Sequence, residues 1–312
     1  MRKRFGVWTA VVIAVAGLAA AASSSPMSSG TPVVVAKIET GRAPCSEAGG
    51  FGYLWVGNNG DGTLSKVDPA TNAVVKTIDV GPGPCGVAVG AGSVWVDGYT
   101  SHMVIRVDPA TTKIVKRIHL PDEIWDVTFG AGSVWATETT NSVVDRINPR
   151  TNKVTRRIRL PGFPGPANLR YGAGALWVGA ITGRKIFRIS ARTGKVRAIR
   201  VGAVPRGLAA SARAIWVSNL NSNTVARINP ASLRVVATIR VGHKPDNAAI
   251  GDDGTVYVPN VGDNTLSRID PATNTVINVT TVGPAPFPAA FAFGDIWVPS
   301  SGGSDVYRVH TG

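Results

Sequence analysis

The sequence predicts an all-β protein, a seven-bladed β-propeller of four-stranded blades, and three observations carry that prediction. An aromatic residue flanked by aliphatics recurs as Trp55, Trp95, Trp135, Trp177, Trp216, Tyr257 and Trp297, at spacings of 40, 40, 42, 39, 41 and 40 residues. A fixed period in this range marks a repeat architecture in which each unit buries its apolar face on its neighbours. Thirteen residues after every marker stand Asp68, Asp108, Asn148, Ser190, Asn229, Asp270 and His310, five of the seven followed by Pro. Finally, the two ends complement each other. The last repeat begins at Phe287 and stops where its outer strand is due, while Val34, Val35, Ile38 and Gly41 stand in the register of Val74, Val75, Ile78 and Gly81. Residues 33–40 are therefore expected to complete blade seven beside residues 306–309, which removes the open edge of the ring.

The elements follow in chain order. Arg2, Lys3 and Arg4 precede an uncharged stretch over residues 5–22 that ends in Ala20, Ala21 and Ala22. That order reads as a signal peptide over residues 1–22, with an uncleaved membrane anchor as the alternative. No Cys stands near residue 22 to carry a lipid. Residues 23–32 are expected to form a flexible linker and residues 33–312 the propeller, one domain despite its length. The expected location is secreted, periplasmic or cell-surface, with no membrane span after cleavage and a monomeric state. Net charge is +14, and +11 without the three basic residues of the leader. A basic exported protein is drawn to anionic cell-envelope polymers. Basic residues occur in every repeat without a stripe interleaved with exposed aromatics, so no specific nucleic-acid partner is expected.

Within a blade the second repeat is the clearest. Cys85 to Gly90, Val94 to Val96, Met103 to Val107 and Ile114 to Leu120 are β-rich runs separated by turn chemistry, here called strands A to D, with A innermost. Asp108-Pro109-Ala110-Thr111 fits a tight turn in which Pro fixes φ and the carboxylate accepts from nearby N–H groups. Triplets such as Leu54-Trp55-Val56 are apolar on both faces, as for a strand sandwiched between blades, so the marker aromatics are expected in the core. Eleven residues after each marker stands a cation: Lys66, Arg106, Arg146, Arg188, Arg227, Arg268 and Arg308. The expected role is structural, with stems over apolar surface and heads in solvent or paired to the turn Asp residues.

The D-to-A connections and B-to-C loops vary between repeats, whereas the A-to-B and C-to-D turns on the other face are stereotyped. Variation on one face points to the ligand side. At the entrance of strand A this places Cys45, Cys85, Trp125, Ala167, Arg206, Asn247 and Phe287 in one ring, with Asp126 and Asn168 one step further in. Trp125, Asp126, Asn168, Arg206, Asn247 and Phe287, together with Glu138, are the candidate ligand-binding residues, aromatic walls with a few polar groups. Glu47, Asp126, Glu138, Asn168 and Asn247 could offer oxygen donors to a hard cation, magnesium or calcium. His102 and His243 are the histidines expected on this face, and no Ser-His-Asp neighbourhood marks an activated nucleophile. Cys45 and Cys85, the only cysteines, are 40 residues apart at equivalent positions of adjacent inner strands, so a disulfide is expected in an oxidising compartment, with two buried thiols as the alternative.

The unit Asn264-Thr265-Leu266-Ser267-Arg268-Ile269-Asp270-Pro271-Ala272-Thr273-Asn274 resembles the repeat of the YVTN family of bacterial β-propellers over residues 33–312, which implies the fold and an exported setting. Trp135-Ala136-Thr137-Glu138 is similar to a motif of the streptogramin B lyases, seven-bladed enzymes whose resemblance implies magnesium and a loop His. The segment that should supply that His reads Asp122-Glu123-Ile124-Trp125. Propeller lactonases, which hold a divalent ion at the same mouth, are similar in kind. The expectation is thus a non-enzymatic propeller that binds a protein, peptide or cell-envelope ligand on the variable loop face. The alternative is a metal-dependent enzyme, streptogramin-lyase-like or lactonase-like, at the channel mouth.

Overall fold

A computed structural model describes residues 30–311, so the expected signal peptide and most of the linker lie outside the described residues. Seven four-stranded antiparallel sheets stand around one axis. Blade one, for example, consists of Pro44–Gly50, Tyr53–Asn58, Thr63–Asp68 and Ala73–Asp79 as strands A to D. In blade seven, Ala290–Ala292, Asp295–Pro299 and Asp305–His310 are joined by Val33–Glu39 as the outermost strand. That closing strand runs antiparallel to Asp305–His310, pairing Val34 with Val309 and Ile38 with Val306. The A strands of blades six and seven shrink to Ala249–Ile250 and Ala290–Ala292. Pro245, Pro284, Pro286 and Pro288 precede them, and a proline donates nothing to a ladder.

The core is divided among the junctions between blades. One cluster joins Trp95 of blade two to Val134, Ala136 and Ile147 of blade three. Another joins Trp297, Val306 and Ile38 of blade seven to Leu54 and Val56 of blade one, so the closing strand helps seal the ring. The marker aromatics are buried, and the indole N–H of Trp55, Trp95, Trp135, Trp177 and Trp297 donates to the carbonyl five residues earlier at 2.9–3.1 Å. Ring burial and a satisfied N–H together explain why this residue type recurs.

The C-to-D turns behave as their residues require. Asp108 Oδ1 accepts from the N–H groups of Ala110 and Thr111, and Asn148, Asn229 and Asp270 do the same for the residue two positions on. The fourth residue after the turn acid, Asn72, Asn152 or Asn274, has φ of 54–58°, a left-handed conformation that Asn tolerates well.

The sevenfold cation series is structural, but its heads do not go to the turn Asp residues. In several blades they reach the turn of the next blade, whereas Arg146 bonds Ser133 of its own blade. Arg106 donates to Pro149 O and Asn152 Oδ1, Arg227 to Pro271 O and Asn274 Oδ1, and Arg308 to Pro69 O and Asn72 Oδ1, at 2.5–3.0 Å. Each lies about 5 Å from the centre of its own marker ring. These residues are clamps between blades: the stem covers the indole, and the guanidinium satisfies a carbonyl that the tight turn leaves without a partner. Arg227→Ala is expected to cost about 1.5–3 kcal/mol, the value of a charged hydrogen bond plus the ring contact. Urea unfolding monitored by tryptophan fluorescence measures it; a variant within 0.5 kcal/mol of the parent, roughly the scatter of a neutral surface change, would remove the clamp.

Candidate functional site

The inner strands converge most tightly at the end where they begin. There the sulfurs of Cys45 and Cys85 are bonded, with Cα atoms 4.9 Å apart. Across the axis the Arg206 guanidinium lies 5.8 Å from the Trp125 ring centre and 4.9 Å from that of Phe287, and it is ion-paired with the buried Asp246. Tyr99 packs edge-on against Trp125 at 5.9 Å. The space left among Cys45, Cys85, Trp125, Asn168, Asn247 and Phe287 is only about 10 Å³. The ring predicted as a pocket lining is thus brought together, but as a plug. Large side chains from one narrow circle fill the axis by stacking on each other.

The polar layer beneath the plug is committed to backbone. Asp126 accepts from Leu169 N at 3.1 Å and from Arg170 at 2.6 Å. Asn247 Oδ1 accepts from Leu208 N at 2.6 Å, and the Asn168 amide donates to Arg206 O at 3.3 Å. Each of these side chains ties one blade to the next. Glu138, the fifth candidate cation ligand, lines neither end of the channel. It is buried on strand B of blade three, where Arg157 bonds both Glu138 at 2.5 Å and Asp145 at 3.2 Å. Burial and the Glu138 carboxyl raise the pKa of Asp145, against the pull of the Arg157 charge. The expected metal set is therefore not brought together: Asp126 and Asn247 accept from N–H groups, Asn168 donates to Arg206 O, and Glu138 lies elsewhere. Among the described residues no group of three or more His, Cys, Asp and Glu side chains is disposed to hold a metal ion. The histidines also stand apart from both channel cavities. His243 bonds Asp263 at 2.7 Å, not its sequence neighbour Asp246.

Beyond the plug the channel widens to a cavity of about 390 Å³ on the face of the A-to-B turns. Small residues make the room: Ala48, Gly49, Ala88, Ala209, Ala210 and Ala290 line it, with Phe129 and Phe291 nearer the rim. Two charged side chains, Glu47 and Arg170, break this lining. Glu47 is 5% exposed, and neither carboxyl oxygen has a hydrogen-bond partner among the described residues. Burial pushes its pKa up to about 8, against the pull of the nearby Arg170 charge. Behind it, Asp97 is held well above the usual carboxylate range by burial and by Asp126. The two carboxylates crowd Gly86, where a Cβ would lie 2.5 Å from Asp97 and 2.7 Å from Asp126. In neutral solution Arg170 and Asp126 form the ion pair, while Glu47 keeps its proton. An uncharged carboxylic acid in the wall of a cavity can give up a proton and take one back.

Arg170 carried a sequence signal that the ring of candidate residues did not include. Seven residues before each marker the chain reads Ala48, Ala88, Thr128, Arg170, Ala209, Ile250 and Ala290, and eight before it reads Glu47, Val87, Val127, Leu169, Leu208, Ala249 and Ala289. Each charged residue is the single departure from its column.

A family profile described as glutamine cyclotransferase matches residues 47–214, a span that contains both. No curated protein matches the sequence. Among solved structures, a streptogramin B lyase superposes with a TM-score of 0.77 at 17% identity, covering 88% of this chain and 94% of the lyase. Virginiamycin B lyase from Staphylococcus aureus gives 0.76 at 17% identity, covering 88% and 98%. Hydrazine synthase of Kuenenia stuttgartiensis gives 0.75 at 14%, covering 91% and 97%. Scores this close for differently named proteins at such low identity establish the propeller fold and nothing finer.

Proposed function

The chain belongs to the glutamine cyclotransferase family, and from that membership we propose an enzyme that closes the N-terminal glutaminyl residue of a peptide on itself, with Glu47 as the proton-transferring group. The observation that carries this reading is the Glu47 carboxyl: buried, unpartnered, on a residue of the cavity wall, and protonated up to about pH 8. In the ring closure the α-amine attacks the γ-carboxamide carbon, a C–N bond forms, the bond to the amide nitrogen breaks, and ammonia leaves. A proton must reach the departing nitrogen, and one must leave the attacking amine. Glu47 supplies the first as an acid and accepts the second as a carboxylate, work suited to a group that titrates near the working pH. Arg170 adds a positive charge at the same wall for the carbonyl oxygen as it gains negative charge.

The plug supports selection of chain ends. With one mouth closed by Trp125, Arg206 and Phe287, a peptide enters the cavity end first, and the volume suits a terminal residue or two. The Cys45–Cys85 bond supports an extracytoplasmic setting.

A propeller that binds peptide ends without turnover is the second reading. It is favoured by Glu47 being the single unpaired carboxyl among the described residues that line the cavity. Ammonia release from a glutaminyl peptide, measured with the parent and Glu47→Gln, separates the two. Turnover is expected in the parent, with kcat about 10²- to 10⁴-fold lower in the variant, the usual contribution of a general acid–base group. Equal turnover in the variant would discard Glu47, and saturable binding of the peptide without ammonia would replace the enzyme by the binding role.

A further inference from the structure

Between blades four and five the interblade clamp is missing, and a cationic groove opens there. Arg188 occupies the clamp position of blade four, yet it makes no hydrogen bond or salt bridge among the described residues, and its buried Nε has no partner. The next turn lacks one of the two usual acceptors. Where Asn72, Asn152 and Asn274 accept from their clamps, blade five carries Leu233, which offers no acceptor. A groove of about 670 Å³ opens between the two blades, lined by Arg188, Arg192, Lys195 and Arg197, none of them in a salt bridge. It lies on the face of the A-to-B and C-to-D turns, as does the mouth of the central cavity.

The charge around it is one-sided. Residues 146–245 contain 20 of the 33 Lys and Arg residues and none of the 19 Asp and Glu residues. The basic character is therefore concentrated in blades four and five and the outer part of blade three, and is not spread evenly over the repeats. Arg156 of blade three extends the row: its guanidinium would lie 2.9 Å from a Cβ at Gly194, in the turn that borders the groove.

We infer that this groove binds the phosphate groups of a linear polyanion, by contacts that Arg188 is left to make because its clamp partner is missing. Guanidinium groups pair with oxyanions through fixed forks, and a phosphate offers more oxygens than a carboxylate to several cations at once. A row of cations longer than one phosphate calls for a chain. Arg188 lies in the wall of a recessed groove, which a polymer can enter and the plane of a lipid bilayer cannot. No aromatic side chain lines the groove to stack on a base, so the recognition is of backbone charge.

The test titrates the full chain with long-chain polyphosphate at several salt concentrations, by calorimetry or anisotropy. The parent is expected to bind with an affinity that falls as salt rises. Arg188→Gln combined with Arg197→Gln should weaken binding at least about tenfold, the loss of one strong charged contact or more. Lys76→Gln combined with Lys116→Gln, which removes the same charge from the outer strands of blades one and two, should change it less than about twofold. Leu233→Asn restores the acceptor and should also weaken binding, while raising the melting temperature. The inference falls if the two double variants lose affinity equally, if the groove variants bind as the parent does, if polyglutamate binds as tightly as polyphosphate, or if phosphatidylglycerol vesicles bind more tightly than the polymer. Ammonia release from a glutaminyl peptide is read in parallel and should be unaffected, so the groove stands or falls independently of the cavity.

Discussion

A chain that begins at residue 41 will melt at least about 10 °C below one that begins at Ser23, because the missing strand is the seal of the ring and not an ornament on its rim. Val33–Glu39 pairs with Asp305–His310 over most of its length, and Thr40 N continues the contact to Ser304 O at 2.9 Å. Ile38, only 4% exposed, belongs to the core cluster that joins blades seven and one, and Lys37 meets Asp305 at 3.2 Å. Losing several ladder hydrogen bonds and one buried aliphatic side chain removes on the order of 5 kcal/mol or more. The deletion also bares a strand edge inviting pairing with another molecule. Differential scanning calorimetry of the two chains decides the matter; coincident melting temperatures would mean that blade seven closes without its outer strand.

The second large effect concerns pH. Native Glu47 holds its proton to about pH 8, whereas an unfolded chain releases it near the ordinary glutamate value of 4.5. Between those values unfolding releases a proton, so this group lowers stability as pH rises, by at most about 1.4 kcal/mol per unit and by several kcal/mol across the window. Asp97 and Asp126, whose pKa values are also raised by burial, act in the same direction. Glu47→Gln removes the Glu47 share. The variant and parent should be close in stability at pH 5, and the variant should be more stable by on the order of 3 kcal/mol or more at pH 8.5, as read from urea melts. A difference that is the same at both pH values would mean that Glu47 is ionised in the native state. In the ring closure proposed above, the same ionisation would set the pH profile, with turnover expected to fall above about pH 8.

The fold was legible because a propeller writes its period into the positions that every blade needs: a buried ring whose N–H reaches a fixed carbonyl, and a turn acid that collects N–H groups. The closing strand was legible for the same reason, through the match of Val34 and Ile38 with Val74 and Ile78. The open end of the channel was not. Variation at Trp125, Arg206 and Phe287 looked like a ligand surface, but whether large side chains line a space or fill it depends on the radius at which the strands converge, and spacing along the chain does not carry that radius. Glu138 was a candidate for the mouth as an oxygen donor on the variable loop face. Its actual partners, Asp145 and Arg157, come from strands C and D, and only pairing across the sheet brings them together. Glu47 and Arg170 were within reach of the sequence, as charged residues in columns that the other repeats fill with small or aliphatic ones.

The pairing of the first described strand with the last sets an order on assembly. A chain made from its N-terminus has Val33–Glu39 in hand long before its partner exists, and six blades can stack while that strand waits. Val34 and Val309, separated by nearly the whole sequence, meet only at the final step. Ring closure therefore tests completeness, because a chain cut short anywhere before Asp305–His310 leaves its opening strand unclaimed. Once closed, Val33 and His310 lie side by side, and a gene rearranged to start in any loop between blades and to join these two residues by a short linker is expected to encode the same ring.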